Sequence, residues 1–267
     1  MDEPDVTVGL PTPDVPPSEL PPEAKEGIAA LAARQRKANG LLLTAINFVG
    51  SQVEDGLKLL PQTVRSQLDD IARNALRQSY DLAAKSRGGL GEKVGSDRFH
   101  KALGSFSGAV GGFGGLPTAI AELPVATTVI FRAVQTVASE YGEDPVSEET
   151  RLECLAVFGA GGPGAEDDGV DTAFLGARLS LSGAALNGLL SRVAPRFAAV
   201  LSQKLASQTV PILGAAAGAG TNYAFVDYYV ALAHVHFGLR KLARTHGETP
   251  VLDEFHAALA AHNLPTG

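Results

Sequence analysis

The chain has 267 residues, enough for one large domain or two small ones, and 45% of them are apolar, which is ample for a core. Its formal charge of -7 is unevenly spread: residues 1–26 hold seven carboxylates against Lys25 alone, so the rest of the chain is close to neutral. Without a basic field, DNA and RNA are excluded as partners, and a single cysteine, Cys154, excludes an intrachain disulfide.

Helix formers dominate, and hardly any segment alternates apolar with polar residues as a half-buried strand would. The expected fold class is therefore all-α. We expect one multi-helix domain over residues 23–263, built around two glycine-rich apolar hairpin-like segments, after a tail over residues 1–22. Pro4, Pro11, Pro13, Pro16, Pro17, Pro21 and Pro22, with few large apolar residues, predict that this tail is disordered. Met1-Asp-Glu-Pro-Asp5 lacks the basic and apolar regions of a secretory signal, which makes a cytoplasmic location the expectation.

From about Glu23 a first helix carries Leu42, Ile46, Val49, Val53, Leu57 and Leu60 at helical spacing, until Pro61 breaks it. A second, with Val64, Leu68, Ile71, Ala75 and Leu82 on one face, ends at Gly88-Gly89. Lys85, Arg87, Lys93, Arg98 and Lys101 then form a local basic run, either a solvated loop or a contact for anionic headgroups.

Residues 102–121 are uncharged and glycine-rich, with Gly104, Gly108 and Gly112 every four residues. Residues 205–226 are likewise uncharged and repeat the spacing at Gly214 and Gly218. Small residues at this spacing let backbones approach closely, so the two stretches are expected to pack against each other. Both are long enough to cross a bilayer, but their Gly, Ala, Ser and Thr content and internal prolines favour a buried hairpin. Gly111-Gly-Phe-Gly-Gly115 has no preceding strand and no Gly-Lys-Ser/Thr ending, so nucleotide binding is rejected.

Pro124 suits the first turn of a helix running to about Tyr141, with Glu122 just ahead of its N-terminus and Arg132 in its apolar middle. Leu152, Leu155 and Phe158 point inward from a short helix, with Cys154 as an inert core thiol. A helix over about 170–191 is then expected, separated by Pro195 from one carrying Phe197, Val200, Leu201 and Leu205. The last central helix, about 221–244, bears Asp227, His234, His236 and Arg240; Val251, Leu252, Phe255 and Leu259 mark a final amphipathic one.

Several of these blocks come in a telling order: Gly111-Gly-Phe-Gly-Gly-Leu-Pro117, Ala121-Glu-Leu-Pro124, Glu140-Tyr-Gly-Glu-Asp-Pro145, Leu152-Glu-Cys-Leu-Ala-Val-Phe158, Gly214-Ala-Ala-Ala-Gly-Ala219, Phe225-Val-Asp227 and His236-Phe237 with Arg240. The succession, over roughly residues 40–256, resembles the EcsC family of bacterial proteins, named after the third product of an operon that also encodes an ABC transporter. Leu116-Pro-Thr-Ala-Ile-Ala-Glu-Leu-Pro124 departs from the family's acid-rich Leu-Pro-x-Asp-Leu-Pro pattern, and the surroundings of Tyr228-Tyr229 differ as well. The resemblance implies a helical domain linked to membrane or transport processes, with no agreed reaction.

Two functional readings follow. In the first, the chain is a non-catalytic accessory or peripheral membrane protein on the inner face of the membrane, with lipid or a membrane transport system as partner. In the second, it is a hydrolase-type enzyme whose catalytic candidates are Glu122, Asp227, His234 and His236, with Arg132 and Arg240 as structural or ligand-facing charges. Arg132 and Asp227 are each expected to hold an opposite charge, because an isolated ion in an apolar helix is expensive. Neither reading calls for a cofactor, and the chain has no His-Glu-x-x-His or Cys/His spacing for a metal.

Overall fold

The computed structural model describes residues 19–50, 61–85, 120, 123–160, 183–207 and 214–261, and among these there are eight helices and no strand. They are α1 (Pro22–Gly50), α2 (Gln62–Arg65), α3 (Leu68–Lys85), α4 (residues 123–140), α5 (Glu148–Val157), α6 (Gly183–Ser207), α7 (Gly214–His246) and α8 (Glu248–Ala260). The fold class is all-α, as the composition requires. Glu122, residues 1–18 of the tail and nearly all of the first glycine-rich stretch lie outside the described residues, including the Gly108 side of the expected packing, whereas the second stretch lacks only residues 208–213.

Helical periodicity decides which faces are buried. On α3, Ala72, Ala75, Leu76, Ser79 and Tyr80 are enclosed at spacings of three and four, the signature of a helix with one solvated side. On α4 and on α7 from Phe225 to Leu239, most positions are buried around the whole circumference, so these helices, with α5, form the centre. Phe131, Phe158, Phe197 and Tyr229 stack there, Phe158 lying 4.8 Å from Tyr229 and 5.2 Å from Phe197 between ring centroids. A smaller core joins α1, the second half of α7 and α8 through Ile28, Ala32, Val235, Leu239, Val251 and Phe255. Burying a side chain such as Phe255 contributes about 1.5–3 kcal/mol.

Two elements differ from the expectation. Pro195 does not separate two helices: α6 runs through it unbroken from Gly183 to Ser207. Proline removes one rung, to the carbonyl of Ser191, and both residues are exposed, so water can satisfy that carbonyl. α7 also begins seven residues before the expected Thr221, because Gly214-Ala-Ala-Ala-Gly-Ala-Gly220 is itself helical. Alanine offsets the glycine penalty there.

A charged cluster between α5 and α7

The turn between α4 and α5 is set by local chemistry. Gly142 adopts φ 85°, a left-handed conformation that side-chain-bearing residues resist. Its N–H donates to Ser139 O and that of Glu143 to Ala138 O, a Schellman closure that ends α4 and turns Glu143 towards α7. Ser147 then caps α5: its Oγ accepts from the Thr150 N–H at 3.1 Å, while Glu148 and Glu149 occupy the first turn, where the helix dipole favours carboxylates.

Three carboxylates so placed meet α7. Arg240 donates through Nη1 to Glu153 Oε1 at 2.6 Å, through Nε to Glu143 Oε1 at 3.2 Å, and through Nη2 to Glu149 Oε1. Arg244 reaches the same Glu143 oxygen at 2.6 Å. The second oxygen of Glu153 lies 2.8 Å from His236 Nε2. Glu153 and His236 are buried, Arg240 and Glu143 nearly so, and Glu149 and Arg244 form the exposed rim. Burial works against the Arg240 charge, yet Glu153, Glu143 and Glu149 outweigh it and raise the pKa of the guanidinium above its ordinary value. Facing a carboxylate, which can only accept when ionised, Nε2 is the nitrogen through which His236 would donate. Its Nδ1 is buried with no hydrogen-bond partner among the described residues.

The candidates taken from the sequence separate into groups. His236 and Arg240, four apart, do share a face and are joined through Glu153. His234 faces elsewhere: its Nδ1 lies 3.3 Å from the Tyr141 hydroxyl, with the rings edge to face. Burial raises the Tyr141 phenol above its ordinary 10.0, with Arg34 opposing the shift and Glu140 adding to it. Asp227 is half-buried on α7, two turns before His234. Arg132 is half-buried too; it donates to Gln135 Oε1 at 3.0 Å and to Leu82 O at 3.3 Å, and burial lowers its pKa. Gln135 passes the link on, donating to Pro145 O at 2.7 Å in the α4–α5 turn.

Sequence reasoning missed Glu143, Glu149, Glu153 and Arg244. For Glu153 the signal was present: an acid inside Leu152-Glu-Cys-Leu-Ala-Val-Phe158, as isolated among apolar residues as Arg132 is. Glu143 and Glu149 carried no such mark, since acids in a turn and in a first helical turn are usually solvated.

An all-helical domain whose central helices are clamped by a closed set of ion pairs is thus the class that fold and cluster define. The chain belongs to the EcsC protein family, whose model matches residues 32–242. No curated protein and no solved structure matches it.

Proposed function

We propose that the chain is a non-catalytic helical accessory protein that works at a membrane surface, beside a transport or secretion system. The observation that carries the non-catalytic part is the closure of the charged cluster. Both oxygens of Glu153 are committed, one to Arg240 and one to His236, and the pair is sealed from solvent. A general base must reach a substrate proton, and a buried carboxylate already shared by two donors has no free oxygen to offer. Buried charges of this kind fix the register of helices. The cytoplasmic, inner-face location belongs to the same proposal.

The membrane part is supported by the sequence: a basic run over residues 85–101 directly precedes the uncharged stretch 102–121. No described helix is long and apolar enough to cross a bilayer, which suits attachment at the surface. Co-sedimentation of the full chain with vesicles tests it. We expect binding to phosphatidylglycerol-containing vesicles, weakened by salt and by Lys93→Glu with Arg98→Glu and Lys101→Glu, and little binding to phosphatidylcholine alone. A chain that stays in the supernatant with anionic vesicles at low salt contradicts the proposal.

A further inference from the structure

The smaller core stands apart from the central one and depends on the last helix. Ile28 and Ala32 of α1 and Val235 and Leu239 of α7 line a groove, and α8 fills it with Val251 and Phe255, both fully buried. One polar tie completes the fit: Arg36 Nη1 donates to Ala258 O at 2.9 Å.

A single residue, Gly247, joins α7 to α8, and it holds φ 89° and ψ 151°. That positive φ folds α8 back on α7, and the Gly247 N–H donates to Ala243 O at 2.9 Å as α7 ends. Glycine has no side chain with which to cap α8, so the N–H groups of Glu248 and Thr249 are left to water on an exposed corner. Were Gly247 to turn helical, α7 and α8 would become one helix over residues 214–260. Those two N–H groups would then meet the carbonyls of Arg244 and Thr245. Pro250 would stand opposite the His246 carbonyl, as Pro195 stands opposite that of Ser191 within α6, an arrangement the chain already accommodates. A straightened helix carries α8 away from its own groove and leaves the groove open.

We propose that this groove takes the α8 of a second copy, so that two chains exchange their last helices about Gly247 in a two-fold dimer. The occupant fits by identity: the Val251 and Phe255 contacts and the Arg36 bond are made again, between chains instead of within one. Only the hinge differs between the two forms, and short hinges invite such exchange. Exposed Lys241 and exposed Asp253 lie equally far from Gly247 on either side of it. A two-fold axis at the hinge therefore sets Lys241 of one copy towards Asp253 of the other, unlike charge to unlike charge. Nothing in the exchange depends on a membrane.

Residue 247 sets the balance between the two forms. Sedimentation velocity of the full chain at rising concentration should show a closed monomer with a slowly exchanging dimer as the minor species. Gly247→Ala penalises positive φ and favours the straight helix at both hinges of a dimer, so the dimerisation constant should rise about a thousandfold. Inserting Gly-Ser-Gly-Ser after Gly247 gives α8 slack to fold back, and the dimer should vanish; this arm stands even where the alanine variant folds poorly. The associating surface is identified with Arg36→Cys and Ala258→Cys joined by a short bismaleimide, Cys154 being fully buried. On a denaturing gel, dimer fractions should yield chains linked in pairs, and monomer fractions chains linked only to themselves. A wild-type chain without dimer at the highest concentration overturns the proposal, as does a folded Gly247→Ala chain that associates no better than wild type. So does a lengthened hinge that leaves the dimer intact, or a dimer whose cross-links all lie within single chains.

Discussion

Cys154 and Tyr229 show how far burial governs single residues in the centre. Both are wholly enclosed, and burial pushes each well above its ordinary pKa of 9.0 and 10.0, with Glu153 and Glu143 adding to the effect on the thiol and Tyr228 on the phenol. In the folded chain they keep their protons to higher pH than in the unfolded chain. Between the two values the unfolded state has lost protons that the native state retains, so stability falls as pH rises above about 9. The Tyr229 hydroxyl also has no hydrogen-bond partner among the described residues. Tyr229→Phe should therefore leave the melting temperature at pH 7 unchanged or raise it, since an unsatisfied buried hydroxyl costs about 1–3 kcal/mol, and should flatten the alkaline decline. A loss of stability at pH 7 without that flattening would show that the hydroxyl is bonded after all.

At the scale of elements, two tight features can be tested separately. Gly142 ends α4 at positive φ and aims Glu143, so Gly142→Ala should cost about 1–2 kcal/mol in strain, and more if the Glu143 pairs are lost with it. Thermal melts of Gly142→Ala in the wild-type and Glu143→Ala backgrounds separate these parts: equal losses in both mean strain alone. Gly238 lets α1 and α7 close together, because a Cβ there would lie 2.9 Å from both terminal methyls of Leu31. Gly238→Leu should cost about 1–3 kcal/mol by overpacking, with part recovered by Leu31→Ala. An unchanged denaturation midpoint for Gly238→Leu would mean that the two helices do not meet as closely as described.

The same scale explains what could be read in advance. The all-α class followed from composition and from the missing two-residue alternation. Phe197, Val200, Leu201 and Leu205, expected on the core face of α6, are all buried. Pro195 misled because proline usually ends a helix, and it is tolerable here because Ser191 and Pro195 both lie on an exposed face, a tertiary fact. His236 and Arg240 were legible as a pair from their spacing. Their acids were not, because Glu143 and Glu153 are 97 and 87 residues away from Arg240 and are brought to it by the turn at Gly142.

For the whole molecule, the cluster ties three parts of the chain, the α4–α5 turn, α5 and α7, into one unit. A buried charge pair can cost more to desolvate than it returns, so its presence alone does not stabilise. Breaking it does destabilise, because the partner is left buried and unsatisfied. A catalytic cluster behaves in the opposite sense, since removing a strained active-site charge leaves stability unchanged or improves it. The direct measurement is a denaturant-unfolding cycle of Glu153→Ala, Arg240→Ala and the double variant. Our account predicts a loss of about 3–5 kcal/mol for Glu153→Ala, a comparable loss for Arg240→Ala, and a double variant well short of their sum. If Glu153→Ala costs less than about 1 kcal/mol, the range of exposed pairs, or raises stability, the cluster is not a structural clamp and the non-catalytic reading fails with it.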